Sequence, residues 1–173
     1  MPIRPDELPR PEALEAFFLE GMCATGWSSP NPEIIPHPNL VGWKQTLYIK
    51  SLENGQVLRL IDSWGDGQGF TQITLRVRAR EILLWIMHYK HGTIFSKDSL
   101  PHIMPILDTT YSRRKFHGGR GAPHHTARIN YWNIYQGGFS QFSGKEELWI
   151  CAKESVPPSV LAGDTTYWGG CLI

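Results

Sequence analysis

The feature that most constrains the fold is an apolar run at residues 81–94, Glu-Ile-Leu-Leu-Trp-Ile-Met-His-Tyr-Lys-His-Gly-Thr-Ile. It contains no proline, reaches its first glycine only at Gly92, and is too short to cross a membrane. We interpret it as a central strand, on which alternate side chains face opposite sides. One side carries Leu83, Trp85, Met87, Tyr89 and His91, and the other carries Ile82, Leu84, Ile86, His88 and Lys90. Both sides become polar towards the end, as in a strand that runs from a core to the mouth of a cavity.

Length and charge narrow the class of protein. The chain of 173 residues predicts a single domain, 1–173, with proline-rich loop segments at 1–10 and 28–40. Seventeen Lys and Arg against sixteen Asp and Glu argue against a general nucleic-acid or membrane-surface binder. Three cysteines without a CxxC pair, and an N-terminus without an apolar leader, predict a cytoplasmic protein.

The remaining patterns predict an α+β fold, with an antiparallel sheet of about six to seven strands and two helices packed on one face. The first helix begins at Pro11 and the second covers residues 97–112. An Asn-Gly step at 54–55 predicts a hairpin between strands 43–50 and 56–64. Further strands are predicted at 70–78, 127–135, 139–151 and 164–172.

Two short echoes indicate that the halves of the chain are related. Gly-Phe-Thr-Gln at 69–72 recurs as Gly-Phe-Ser-Gln at 138–141, and the segment that begins at Tyr89 resembles the one that begins at Tyr167. An internal duplication would therefore consist of a helix plus a three-stranded meander, present twice. Chance similarity over such short stretches is the alternative.

The candidate site is a set of acid–base groups with aromatic walls. Asp62 shares a strand face with apolar residues, so its carboxylate needs a partner or has a raised pKa. The candidate catalytic residues are Asp62, Tyr89, His88 and Glu146. The candidate substrate-binding residues are Trp64, Trp85, Met87, Arg120, Trp132 and Tyr167. In the alternative interpretation Asp62 is a hydrogen-bonded structural carboxylate and the rings only fill the core.

The sequence gives little support for a metal or cofactor. His88 and His91 would face opposite sides of a strand and could not chelate one ion together. No P-loop, dinucleotide-binding or nucleophile-elbow motif occurs. The basic, glycine-rich loop at 113–125 is either an anion receptor or a solvated loop. We therefore expect no cofactor and no metal site.

From about Leu60 onward the chain resembles a bacterial domain family of unknown function that often follows an Xre-type helix-turn-helix domain. The matching residues are Asp62, Trp85, Met87, Tyr89, Arg120, Gly121, Phe142, Gly144, Glu146, Tyr167, Gly169 and Gly170. The chain departs from the family in the shifted His91-Gly92 step, in lacking the first-half Gly and Glu at residues 70–74, and in having no preceding helix-turn-helix. The resemblance implies an α+β fold with a ligand cleft, and no particular reaction.

Three functions follow as hypotheses. The first is a cofactor-independent isomerase, cyclase or lyase of specialised metabolism, acting by acid–base catalysis on a hydrophobic or aromatic small molecule. The second is a non-catalytic small-molecule-binding or sensor domain that uses the same cleft. The third is a scaffold domain. The expected partner is the small molecule, with no nucleic acid and no membrane, and a homodimer is left open.

Overall fold

The computed structural model describes residues 7–26, 29, 32–93, 115–118, 123–126, 129–151 and 159–173. The helix predicted at 97–112 and the candidate Arg120 lie outside these residues. One helix, α1 (Pro11–Thr25), precedes the strands. The strands are β1 (Ile35–Pro36), β2 (Lys44–Ser51), β3 (Val57–Gly65), β4 (Gln68–Val77), β5 (Arg80–His91), β6 (His124–His125), β7 (Ile129–Gly138), β8 (Gln141–Cys151) and β9 (Ser159–Cys171).

All nine strands belong to one antiparallel sheet, in the order β1-β2-β3-β4-β5-β9-β8-β7-β6. The expected α+β fold, with fewer strands and two helices on one face, is wrong, because the part of the chain that the structure describes forms this large sheet and a single helix. The duplication of a helix plus a meander is wrong in that form for the same reason. The apolar run at 81–94 was interpreted correctly as a central strand, since β5 joins the two halves of the sheet.

The predicted hairpin forms where the Asn-Gly step required it. β2 pairs with β3 from Ser51↔Val57 to Lys44↔Trp64, and Gly55 has φ +77° in the turn. The next hairpin, from β3 to β4, turns through Asp66 and Gly67, both with positive φ. Positive φ at two successive residues is the backbone of a type I′ turn, whose twist suits paired strands.

Helix α1 covers one face of the sheet, which we call the covered face. Pro11 occupies the first turn and Glu12 adds a negative charge there, as predicted. Gly21 lies within the helix, where a methyl group would overlap Leu60 on β3, so glycine permits the close approach. The buried side chains of the helix are Leu14, Phe17, Phe18, Leu19 and Met22.

An aromatic cluster forms the centre of the core beneath the helix. Trp85 is fully buried, stacks on Phe139 at 4.9 Å, and donates its indole N–H to the Phe139 carbonyl at 2.9 Å. Phe18 of α1 and Phe116 pack against the same indole. Much of the aromatic content of the sequence is therefore used to join the helix to both halves of the sheet.

A polar contact also attaches the helix to β2. Glu20 accepts hydrogen bonds from the Tyr48 hydroxyl and the Lys50 ammonium, each at 2.6 Å. The hydrogen bond from Lys50 lowers the pKa of Glu20, and the hydrogen bond to Glu20 raises the pKa of Tyr48 to about 12. These groups are largely exposed, so the contact orients the helix more than it stabilises the fold.

The strands β3-β4-β5 and β7-β8-β9 repeat one register. In the first set Tyr89 lies opposite Gly69, and in the second Tyr167 lies opposite Gly144. Two residues further along the central strand of each set, Thr71 lies between its register partners Asp62 on β3 and Met87 on β5. Glu146 lies in the same way between Asn133 on β7 and Thr165 on β9. Both sets have a register shift at the same step, after Ile73 in β4 and after Leu148 in β8.

The two halves meet at the pair of tyrosines. Tyr89 and Tyr167 are direct partners across β5 and β9. A two-fold axis through this pair would exchange β5 with β9, β4 with β8 and β3 with β7. The register therefore aligns Gly69 with Gly144, so the sequence echo that aligned Gly69 with Gly138 was misaligned.

We predict that the two glycines of the β7–β8 hairpin respond differently to alanine. A methyl group at Gly144 would overlap the Tyr167 hydroxyl and lie 2.7 Å from the Ile134 carbonyl oxygen, whereas at Gly138 it would meet nothing within 4 Å. We expect Gly144→Ala to lower the free energy of unfolding by about 2 kcal/mol through overpacking. Gly138→Ala should change it by less than about 0.5 kcal/mol. Urea titrations measure both values, and equal losses would contradict the assigned register.

Candidate functional site

The covered face carries a buried carboxylate in its first half. Asp62 on β3 is 6% exposed, and its Oδ1 atom accepts hydrogen bonds from the Thr71 hydroxyl at 2.8 Å and the Tyr89 hydroxyl at 3.2 Å. The Tyr89 ring reaches Asp62 by lying over Gly69, where a methyl group would overlap its hydroxyl. Two hydroxyl donors thus stabilise negative charge on a group that burial alone would destabilise.

The second half repeats this arrangement, but its carboxylate is on the middle strand of the three, β8, whereas Asp62 is on the outer strand, β3. Tyr167 lies over Gly144, and its hydroxyl donates to Asn133 Oδ1 at 2.5 Å. Asn133 stands where the first half has Asp62, and the buried Glu146 stands where it has Thr71. Each half therefore holds one carboxylate and one neutral partner beneath its tyrosine.

Residues 115–118 close the second half. The Asn133 amide donates to the carbonyl oxygens of His117 at 2.9 Å and Gly118 at 3.2 Å. Gly118 lies against the Tyr167 ring, and the Phe116 N–H donates to Glu15 of the helix at 3.0 Å. Burial raises the pKa of Tyr167, which keeps its hydroxyl protonated and makes it a fixed donor.

The first half has a different border. Tyr89 and Trp64 are only half-buried, and they lie on either side of Gly69, on β5 and β3. His91 continues the same face of β5, and its Nδ1 atom lies 2.7 Å from the Thr165 hydroxyl. Asp62 thus has a hydroxyl network on one side and two aromatic rings at its edge.

The structure brings together three of the predicted site residues on the covered face, namely Asp62, Tyr89 and Trp64, whereas Glu146 lies on the same face in the second half, opposite Asn133 and Thr165. Tyr167 shares that face but is sealed beneath Gly118. Trp85 and Met87 also face this side, yet both are buried in the core, where the indole is stacked on phenylalanine rings. Trp85 and Met87 are therefore core residues and not part of the surface that a ligand could contact.

The other two described candidates lie on the opposite face of the sheet, which we call the outer face. His88 stacks on Trp168, with ring centroids 5.6 Å apart, and cannot reach Asp62. Trp132 is 47% exposed there and contacts His125. His88 and His91 do face opposite sides of β5, and within the described ranges no group of three His, Cys, Asp or Glu could hold a metal ion.

Sequence reasoning missed Asn133, Thr71 and Thr165 as members of the polar set. The signal was present in the repeat Asp-x-aromatic at 62–64 and Asn-x-aromatic at 133–135. Aligning these two tripeptides matches β3 with β7, and the strand register then places Gly69 with Gly144, because Gly69 lies opposite Trp64 and Gly144 lies opposite Tyr135. The chain therefore has a first-half glycine at the position of Gly144, and Thr71 replaces the expected glutamate.

In comparisons with known proteins, no family model, no curated protein and no solved structure matches this chain. The resemblance to the bacterial domain family therefore stays a prediction. No helix in the described ranges is both long and apolar enough to span a membrane.

We predict that the two mirrored substitutions, Asn133→Asp and Asp62→Asn, lower the free energy of unfolding by unequal amounts. In Asn133→Asp one carboxylate oxygen would keep the Tyr167 hydroxyl as donor, but the other would face the His117 and Gly118 carbonyl oxygens, next to the buried Glu146, so the substitution should cost about 3 kcal/mol or more. Asp62→Asn keeps an acceptor for Thr71 and Tyr89, and should cost less than about 1.5 kcal/mol.

The pH dependence of unfolding provides a second measure of this pair. Burial would raise the pKa of the carboxyl group in Asn133→Asp above its value in the unfolded chain, so the folded state binds more protons. The free energy of unfolding of this variant, relative to wild type, should therefore rise as the pH falls from neutral towards about 5. A relative stability that does not change with pH would show that the side chain has turned out to solvent.

Proposed function

We propose that this protein is a small-molecule-binding domain whose ligand contacts Asp62, Tyr89 and Trp64 on the covered face. The observation that carries the proposal is the asymmetry of the repeat. In the second half, residues 115–118 lie against Tyr167 and Asn133. In the first half, the equivalent Tyr89, and Trp64 on the other side of Gly69, are both half-buried, and a carboxylate replaces the amide.

The second half also indicates what kind of group the first half would bind. Asn133 uses its N–H donors to hold two carbonyl oxygens. Asp62 at the equivalent position offers acceptors only, so its ligand would present an N–H or O–H group. The Trp64 and Tyr89 rings favour a ligand with a flat or apolar body. A hydrophobic or aromatic molecule with a hydrogen-bond donor fits these requirements.

One observation favours catalysis as a second candidate function. Asp62 and Tyr89 form a hydrogen-bonded carboxylate–phenol pair, and such a pair supplies a base and an acid for isomerisation, cyclisation or elimination without a cofactor. Glu146 belongs to the sealed half, so within this proposal the acid–base chemistry falls to Asp62 and Tyr89.

The resemblance to the bacterial domain family, which often accompanies a DNA-binding domain, supports a sensor role for the binding domain. Asp62, Tyr89, Gly144, Glu146 and Tyr167 are among the matching residues that lie on the covered face. A cytoplasmic location is part of the same proposal, because three cysteines without close spacing suit a reducing compartment.

Thermal-shift and native mass-spectrometry screening against a library of aromatic and terpenoid-like metabolites tests the binding proposal. A ligand present at about a hundred times its Kd should stabilise the protein by roughly 2.7 kcal/mol, which appears as a shift of several degrees. Asp62→Asn should weaken the best compound at least about tenfold, because it removes a charge-assisted hydrogen bond.

The repeat offers a matched control for this measurement. Tyr167→Phe removes the equivalent hydroxyl from the sealed half, so it should lower stability by about 1 kcal/mol while changing the affinity less than about threefold. Equal loss of affinity in Asp62→Asn and Tyr167→Phe, or no library compound that binds wild type, would refute the assigned site.

Turnover distinguishes the enzyme from the binder. If bound compounds are converted, mass spectrometry will detect product from wild type, and Asp62→Asn should slow conversion by about a hundredfold or more, beyond its effect on affinity. If compounds bind but none is converted to product, the binding function is supported and the enzymatic function is excluded.

A further inference from the structure

The outer face carries a groove that is separate from the Asp62 site. It lies across β7, β8 and β9, has a volume of about 630 Å³, and is open to solvent. This volume is in the range of known small-ligand sites. Its side chains are Ile134, Gln136, Ser143, Lys145, Thr166 and Trp168, while the backbone at Tyr135, Gly144 and Tyr167 forms the floor.

Trp168 provides a flat wall for this groove. Its indole stacks on His88 of β5, with an interplanar angle of 21°. On its other side the neighbour across the strands is Ser143, which is too small to cover the ring. Trp168 is therefore 48% exposed, and it is held from one side while its second face borders the groove.

The other groups around the groove are hydrogen-bonding and carry little net charge. The Gln136 amide donates to the Ser143 hydroxyl at 3.5 Å, and the exposed Thr166 on β9 donates its hydroxyl to the Lys90 carbonyl oxygen at 3.4 Å, which leaves the hydroxyl oxygen as an acceptor. Among the described residues of the lining, Lys145 is the one cation, and it is paired with Glu147 at 2.7 Å. The ion pair raises the pKa of Lys145 and neutralises its charge within the groove. An anionic ligand would therefore gain little electrostatic attraction here.

The geometry points to a binding site for a sugar ring of a neutral oligosaccharide. One face of a sugar ring exposes C–H groups that pack on an indole, while its edge carries hydroxyl groups that need donors and acceptors. Trp168 supplies the first contact, and Gln136, Ser143 and Thr166 supply the second. The open ends of the groove allow a chain of sugars to continue in either direction, as a closed pocket would not.

This site is independent of the proposed function, since it occupies the opposite face of the sheet from Asp62. Isothermal titration calorimetry of the full chain with cellohexaose, maltohexaose, xylohexaose, mannohexaose and chitohexaose tests it, at sugar concentrations up to about 5 mM. We expect one of these sugars to bind. Trp168→Ala should weaken that sugar at least about tenfold by removing the stacking surface, whereas Trp168→Phe should retain part of the affinity.

Trp132→Ala is the matched control for the sugar titration, because Trp132 is equally exposed on the outer face but lies outside the groove. It should leave the affinity within about twofold. The affinity should also be the same at about 50 and about 500 mM NaCl, as expected for a neutral ligand.

Three results would overturn the proposal. The first is the absence of binding by every hexasaccharide, and the second is equal weakening by Trp132→Ala and Trp168→Ala. The third is salt-sensitive binding of a uridine or adenosine oligonucleotide with no sugar binding, which would make the groove a platform for nucleobases.

Discussion

This structure depends on one hydrogen bond that occurs twice. In each case a tyrosine ring crosses a glycine, and its hydroxyl group donates to an Asp or Asn two strands away. Tyr89 and Tyr167 each make it, and they are neighbours where the two halves of the sheet join. Glycine at 69 and 144 is required because any side chain would occupy the place of the ring. The contact links three strands through side chains, in addition to the backbone hydrogen bonds between them.

Because the same contact is present in both halves, the side chains around it can serve a different purpose in each half. The second half has an amide that holds carbonyl oxygens of residues 117 and 118, with Phe116 inserted into the aromatic core. The first half has a carboxylate, a threonine in place of the glutamate, and two half-buried rings at its edge. Structural and functional roles are thus separated between two copies of the same arrangement, and we propose that the ligand binds at the copy with the half-buried rings.

Local patterns in the sequence were enough to predict much of the strand content. The Asn-Gly turn, the alternation in β4 and the apolar run of β5 each depend on nearest neighbours. The size of the sheet, by contrast, follows from the pairing of β5 with β9, which lie far apart in the chain. The sequence predicted Tyr89 or His88 as the partner of Asp62, because all three are polar groups on apolar strand faces, and the hydrogen bond is made by Tyr89. The Asn-x-aromatic repeat marks the position of Asn133, but its role could not be predicted, because that role depends on its contacts with residues 117 and 118. The outer groove could not be predicted either, because it needs the register of three strands.

A double-mutant cycle with Tyr167→Phe, Asn133→Ala and the combined variant tests this account most directly. It isolates the energy of the contact that joins β9 to β7, free of the separate costs of each substitution. Measured by urea unfolding, the coupling energy should be favourable by at least about 1 kcal/mol, as expected for a buried hydrogen bond within a network. Losses that add to within about 0.3 kcal/mol would show that the two side chains act independently, and would contradict the claim that this contact organises the sheet.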